Sequence, residues 1–195
     1  MIQIVEKPEW VSWEEIKQCL MSAHAENRAK GINMGHAQWS AEQIRDFVGD
    51  KGVMFVALDG KKVVGTASII PRPGYTWFTP EHYAFLGFDG VCPEYRGRGI
   101  YKELMRMREG RAREMGLSVL VLDTHKDNLN LQQIALKDGF RYVRYFLVSN
   151  RDHFNVAMAK WLDGCPYSRI YCRWRFLRSR IKAPIQKLFF GLVRG

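Results

Sequence analysis

No apolar run in this sequence approaches the roughly 20 residues of a membrane span. The first ten residues already contain Glu6, Lys7 and Glu9 and lack the apolar stretch of a secretory leader. The expectation is a cytoplasmic chain. Cysteine is sparse: Cys19, Cys92, Cys165 and Cys172 form no C-x-x-C pair and have no histidine at zinc-ligand spacing. That argues against a metal site or a redox dithiol and for reduced thiols. Internal repeats and low-complexity segments are missing as well. Acidic residues run out at Asp163: from Gly164 onward there are eight basic side chains and no acidic one, whereas residues 1–163 hold 22 basic and 20 acidic. Of the formal charge of +10, +8 therefore belongs to the tail.

What is present is the composition of a folded protein. With 195 residues, 47% hydrophobic and 26% charged, the chain suits one compact domain with an appendage, read as residues 1–162 and 163–195. A domain of about 150 residues buries close to 70% of its extended-chain surface, so neither disulfides nor metals are needed to hold it.

Two helix starts share one device. Ser12 precedes Glu15 and Ser40 precedes Gln43, each pair placed to form a reciprocal cap. The first helix runs on Ile16, Leu20 and Met21, the second on Ile44, Phe47 and Val48. A loop from Gly31 to Trp39 lies between them. Residues 52–58 read as a strand, Asp59-Gly60 as a tight turn and residues 62–70 as the returning strand. Pro71, Pro73 and Gly74 are expected to end that strand. His82–Cys92 reads as a further strand closed by Pro93, and Ile100 to Met115 as a helix terminated at Gly116. Residues 118–123 form a continuous apolar run, hence a buried strand. A short helix over 128–138 ends at Gly139, and strands follow at 142–149 and 155–160. The order is that of a mixed α/β sheet.

The strongest chemical signal is the stretch from Val91 to Ile100, where a strand ends, glycines follow and a helix begins. Backbone donors and the positive end of a helix dipole converge there, which suits a phosphate or pyrophosphate. Arg96 and Arg98 add charge. The same residues also fit a plain strand–helix turn that needs glycine for backbone reasons. The glycine order matches neither a Walker loop nor the dinucleotide fingerprint.

Val91-x-Pro93 followed by Arg96-Gly97-Arg98-Gly99 resembles motif A of the GNAT superfamily of acyl-CoA-dependent N-acyltransferases, written Q/R-x-x-G-x-G/A. Asn128, with Lys137-Asp138-Gly139-Phe140 further on, is similar to motif B. The hairpin through Asp59-Gly60 and the ending Met158-Ala-Lys-Trp-Leu162 also look like strands of that family. The resemblance covers most of residues 1–162 and does not reach the tail.

It implies a mostly antiparallel sheet with flanking helices and a splayed central strand pair holding acetyl-CoA. The backbone N–H of Val91 would polarise the thioester carbonyl. Backbone N–H groups of Arg96, Gly97, Arg98, Gly99, Ile100 and Tyr101 would hold the pyrophosphate, and Asn128 would contact the pantetheine arm. Two positions depart from the pattern. Tyr101 stands at the last glycine or alanine position of motif A. Ala135 replaces the tyrosine that often protonates the leaving thiolate.

A protonated amine must lose a proton before attacking a thioester, so a carboxylate or histidine near the acyl carbonyl is expected. Asp89 is the favoured base, because it lies two residues before Val91 and so on the same strand face. Its alternative roles are a β-bulge at Asp89-Gly90 or a pair with an arginine. His36, His82 and His125 are weaker candidates. Trp39 reads either as a wall of the acceptor site or as core. No metal is expected.

The tail has Ser168 as an N-cap, then Ile170, Trp174, Leu177 and Ile181 on one helical stripe flanked by arginines, with Pro184 expected to interrupt the helix. Three readings fit: a helix docked on the domain or on a second subunit, a helix lying on anionic lipid over residues 168–192 at the inner membrane face, and, last, a nucleic-acid contact. The enzyme expected is an acetyltransferase acting on a primary amine, with a homodimer compatible. The competing reading is a non-catalytic protein of the same fold whose basic tail docks on a membrane or a partner.

Overall fold

Both reciprocal caps form. The Ser12 and Ser40 side chains accept from the N–H of Glu15 and Gln43, whose side chains take the cap N–H in return. The computed structural model describes residues 1–32, 38–74, 76–148 and 153–192. They fall into two compact units, Met1–Leu120 and Val121–Gly195.

The first unit contains β1 (Ile2–Glu6), α1 (Trp13–Ala23), α2 (Ala25–Ala29), α3 (Ala41–Val48), β2 (Val53–Asp59), β3 (Lys62–Pro73), β4 (His82–Val91) and α4 (Ile100–Glu114). Its strands pair antiparallel in the order β1-β2-β3-β4. Helix α2 buries no residue, so no apolar stripe announces it in the sequence. One expectation is corrected: β3 does not end before its prolines but runs through Pro71 and Pro73, paired with Ala84 and His82. The N–H of Gly74 donates to the Glu81 carbonyl at 2.6 Å. By alternation, Pro71 and Pro73 then face away from β4, where a missing N–H costs the ladder nothing.

Adjacent positions on β3 and β4 show which helix covers which face. A methyl group added at Gly90 would stand 2.9 Å from Cβ of Ala23 in α1, and one at Gly65 would stand 3.2 Å from Ile100 in α4. Gly90 pairs with Thr66 and Gly65 with Val91, so α1 and α4 cover opposite faces. The α1 face carries an apolar core of Ile16, Leu20, Ile44, Val48, Val56 and Phe88, with Trp39 and Phe47 packed against it.

Between Gly87 and Gly90, β4 holds one more residue than the facing part of β3. This is a β-bulge. Within it Phe88 adopts φ 51°, a left-handed conformation taken by no other non-glycine among the described residues. Three contacts hold it. Thr66 Oγ1 donates to the Phe88 carbonyl at 2.8 Å. His24 Nε2–H, at the end of α1, donates to the Asp89 carbonyl at 2.7 Å. The Asp89 carboxylate pairs with the Arg108 guanidinium, which is fully buried in α4.

The second unit contains most of β5 (Val119–His125), then α5 (Leu129–Lys137), β6 (Arg141–Leu147), β7 (Phe154–Trp161) and α6 (Arg169–Leu192). Strand β7 lies between β5 and β6 and pairs antiparallel with β6. Ser168 caps α6, accepting from the Tyr171 N–H at 3.1 Å. Helix α6 packs on β6: Phe176 stacks on Tyr142 with ring centroids 4.9 Å apart, and the Tyr145 N–H donates to Ser179 Oγ at 2.8 Å. The expected interruption at Pro184 is corrected, since α6 continues through it to Leu192. Proline there forfeits one hydrogen bond to the carbonyl four residues back. Packing outweighs that local preference, with the preceding Ala183 only 2% exposed. The architecture is mixed α/β and mostly antiparallel, as expected.

Two outcomes follow from the bulge. Arg108→Met strands the Asp89 carboxylate, and loss of one partner of a buried pair is expected to cost about 3 kcal/mol, read by denaturant unfolding. His24 is buried, and burial pushes its imidazole pKa below the usual value, opposed by its bond to the Asp89 carbonyl. The unfolded chain then takes up a proton more readily than the folded one. His24 therefore contributes stability above about pH 6.5 that is lost as pH falls below it. Thermal melts over a pH series should show that acid-side loss reduced in His24→Gln, which keeps a donor and does not titrate.

Candidate functional site

Strand β4 ends at Val91, a single 3-10 turn covers Pro93–Tyr95, and the chain then enters α4 through two glycines in left-handed conformation, Gly97 at φ 75° and Gly99 at φ 77°. Gly99 is the N-cap of α4, and no side chain caps that helix. The N–H groups of the first turn thus have no intrahelical acceptor and sit at the positive end of the helix dipole. A side chain built on either glycine would meet nothing within 4 Å, so the space beside the turn is open. A turn of this form, with unpaired donors at a helix start, has the chemistry of an anion cradle.

The arginines that flank it are used locally. Arg96 pairs with Glu26 at 2.9 Å and donates to the Ala23 carbonyl at 2.8 Å and the Val91 carbonyl at 3.4 Å. Arg98 donates to the Glu94 carbonyl at 3.1 Å and lies over the Tyr95 ring. Their contacts brace the turn, and the donors that the uncapped helix start leaves over are backbone groups.

Val91 stands beside this cradle. The N–H of Cys92 donates to the Val64 carbonyl at 2.9 Å, which makes the neighbouring Val91–Gly65 pair a non-hydrogen-bonded one. The N–H and carbonyl of Val91 therefore point away from β3. Asp89 and Val91 share the α4 face despite the bulge, since Asp89 reaches Arg108 and Val91 sits opposite Gly65. Burial pushes the Asp89 carboxyl up from the ordinary carboxylate range, and the Arg108 charge opposes that shift. Tyr101, half-buried in the first turn of α4, completes the stretch.

Behind Val91, on the α1 face, the Cys19 and Cys92 sulfurs are 3.7 Å apart. They line a cavity of about 240 Å³ together with Glu15, Ser22, Lys62 and Glu94. The shared hydrogen bond lowers the Cys92 thiol pKa and raises that of Cys19.

In the second unit, Asn128 is 6% exposed and its Nδ2 donates to Thr124 Oγ1 at 3.0 Å. Ala135 is fully buried. His125 is mostly buried, which lowers its pKa, and its Nδ1 accepts from the Asp127 N–H at 3.1 Å. His82 is exposed at the start of β4. His36 lies outside the described residues. Trp39 packs edge-on against Phe47 and Phe88, with centroids 5.1 and 5.8 Å away, and so supports the bulge from the core side.

Arg108 and His24, which hold the bulge, are not among the residues that the sequence motifs mark. Arg108 continues the Ile100–Leu104 stripe at a spacing of four, and a cation on an apolar stripe pairs naturally with an acid in an apolar strand. That signal was legible. His24 offers none, because its partner is a backbone carbonyl.

The model of the acetyltransferase (GNAT) family matches residues 13–140. Among solved structures, the chain resembles a GNAT-family acetyltransferase of Staphylococcus aureus Mu50 (20% identity, 83% of this chain and 99% of that one, TM-score 0.65). It is also similar to the ribosomal-protein-S18-alanine N-acetyltransferase of Escherichia coli (16%, 87% and 97%, TM-score 0.61). A third likeness is to a Salmonella typhimurium protein solved with its cofactor acetyl-CoA (16%, 86% and 98%, TM-score 0.61). A comparison with curated protein sequences finds no match. The matched segment runs from the start of α1 to just past α5 and contains both the bulge and the anion cradle, and the chain belongs to the acetyltransferase (GNAT) family.

Proposed function

We propose that this protein is an N-acetyltransferase that moves an acetyl group from acetyl-CoA to a primary amine by direct attack in a ternary complex. The observation that carries the reading is the uncapped start of α4 behind Gly97 and Gly99, with the Val91 N–H leaving the β3 ladder beside it. The acyl donor brings a pyrophosphate and an electrophilic thioester. The Arg96 N–H is taken by the Pro93 carbonyl at 3.2 Å and drops out of the expected set; the backbone N–H groups from Gly97 to Tyr101 bind the pyrophosphate, and the arginine side chains keep that backbone in shape. The Val91 N–H is the hydrogen-bond donor to the thioester oxygen. Asn128 contacts the pantetheine arm, as the family resemblance implies.

Asp89 is the proposed base for the amine proton, on the same strand face as Val91. Ala135 offers no proton to the leaving thiolate. With a thiol pKa of about 8.5 that group departs without much assistance. The acceptor is a small molecule, an amino sugar or a protein amine, since acceptor loops vary independently of the fold.

A thermal-shift titration with acetyl-CoA tests the reading. Ligand at about a hundred times its dissociation constant adds roughly 2.7 kcal/mol, or several degrees at about 2–4 °C per kcal/mol. Gly99→Val, which forces a branched side chain into a left-handed position beside the cradle, should weaken the midpoint by at least about tenfold. A folded protein with no shift at millimolar ligand would overturn the reading, and a shift without turnover on any amine would favour the non-catalytic alternative.

Asp89→Asn separates the two roles of that carboxylate. Loss of a base should lower kcat at neutral pH by about 100-fold or more, with recovery at high pH where the amine deprotonates unaided. A lower melting temperature with an unchanged pH–rate profile would leave Asp89 only its pairing with Arg108.

A further inference from the structure

Helix α6 has two apolar faces, and among the described residues only one of them is packed. At roughly 100° per residue, Cys172, Phe176, Ser179 and Ala183 lie on one side of the helix. Cys172 and Ala183 are buried, while Phe176 and Ser179 touch β6. On the opposite side Ile170, Trp174, Leu177, Ile181 and Ile185 fall within an arc of about 80°. Their exposures are 81, 51, 45, 68 and 48%. Solvent-facing apolar residues scattered singly are ordinary, but a continuous stripe of five marks a binding surface.

Basic side chains border the stripe on both sides. Arg169, Arg173 and Arg180 are exposed along one edge and Arg178 and Lys182 along the other. Arg178 lies over the Trp174 ring at 5.5 Å. No acidic residue occurs from Gly164 to the end.

We propose that this outer face of α6 docks in the plane of an anionic lipid surface, with the apolar stripe in the acyl boundary and the arginines at the phosphates. The chemistry selects that partner over two others. A second copy of the chain would bring two arginine-bordered stripes together with no carboxylate in either tail to neutralise them. A nucleic-acid backbone would satisfy the arginines but leave the isoleucines and Leu177 against water. An anionic bilayer takes both: the aliphatic arms of arginine lie along the apolar boundary while the guanidinium groups reach outward. Tryptophan suits the same depth, having an apolar body and a polar N–H. The helix, about 36 Å long at 1.5 Å per residue, lies on the membrane; no helix among the described residues is long and apolar enough to cross one.

The test is co-sedimentation of the full chain with vesicles of phosphatidylcholine, with and without phosphatidylglycerol. Saturable pelleting is expected only with the anionic vesicles, weakening as salt rises and the Debye length falls from about 10 Å at 0.1 M to about 3 Å at 1 M. Ile170→Glu/Ile181→Glu, at two solvent-facing positions, should abolish pelleting while circular dichroism and melting temperature stay at wild-type values. Arg169→Gln/Arg173→Gln/Lys182→Gln should weaken it by about fivefold per charge.

The proposal is overturned by no pelleting at low salt, by equal pelleting with neutral vesicles, or by a dimer in sedimentation equilibrium that the isoleucine variant dissociates while the wild type ignores vesicles. Binding to duplex DNA that survives the isoleucine variant, without vesicle binding, would assign the arginines to nucleic acid instead. Comparing the two vesicle types with the unaltered protein decides the matter even if a variant fails to fold.

Discussion

The ion pair between Asp89 and Arg108 is the constraint around which the first unit is arranged. A fully buried guanidinium must find an anion or it does not stay buried, and the nearest strand supplies one only because β4 carries an extra residue. The bulge turns Phe88 toward the α1 core and Asp89 toward α4, so a single backbone irregularity serves two helices on opposite faces. Thr66 and His24 hold the carbonyl groups that the bulge releases from the ladder. With the strand so held, Val91 emerges with its N–H directed away from β3, next to the start of α4. Positioning of the strand end and packing of the helices are therefore one problem with one solution.

Charge is divided between anchoring and binding in a way that composition conceals. Arg96 and Arg98 flank the anion cradle, yet their guanidinium groups are occupied by Glu26, by backbone carbonyls and by the Tyr95 ring. The donors left over at the uncapped helix start are peptide N–H groups, fixed by two glycines. Donors of that kind need no ordering when an anion arrives, whereas a free arginine would lose rotamer entropy.

Much of this was legible in the sequence because the signals were local. Ser12 with Glu15, Ser40 with Gln43, and the glycines at 97, 99, 116 and 139 each encode backbone geometry within a few residues, and each takes the expected form. The glycine turn before Ile100 likewise encodes the uncapped helix start in adjacent residues. What escaped were interactions between distant segments. The pairing of Asp89 with an arginine and the bulge beside it were both foreseen as alternatives, but the identity of Arg108 and the role of His24 depend on which helix crosses which strand. Local rules also misread two prolines as the end of β3 and one as a break in α6. A proline's missing N–H matters only if that position owed a hydrogen bond, and tertiary structure decides whether it did.

The prolines of β3 have a consequence outside the molecule. Beyond Ile69, β3 extends past the end of β2 and is paired only with β4. An overhang of that kind normally offers a row of unpaired N–H and carbonyl groups on which another chain can add a strand. The two residues of the overhang that face outward are Pro71 and Pro73, and neither has an N–H to offer. The sheet can thus project a strand toward solvent without templating edge-to-edge aggregation, a protection that would be lost if those prolines were replaced by residues with greater strand propensity.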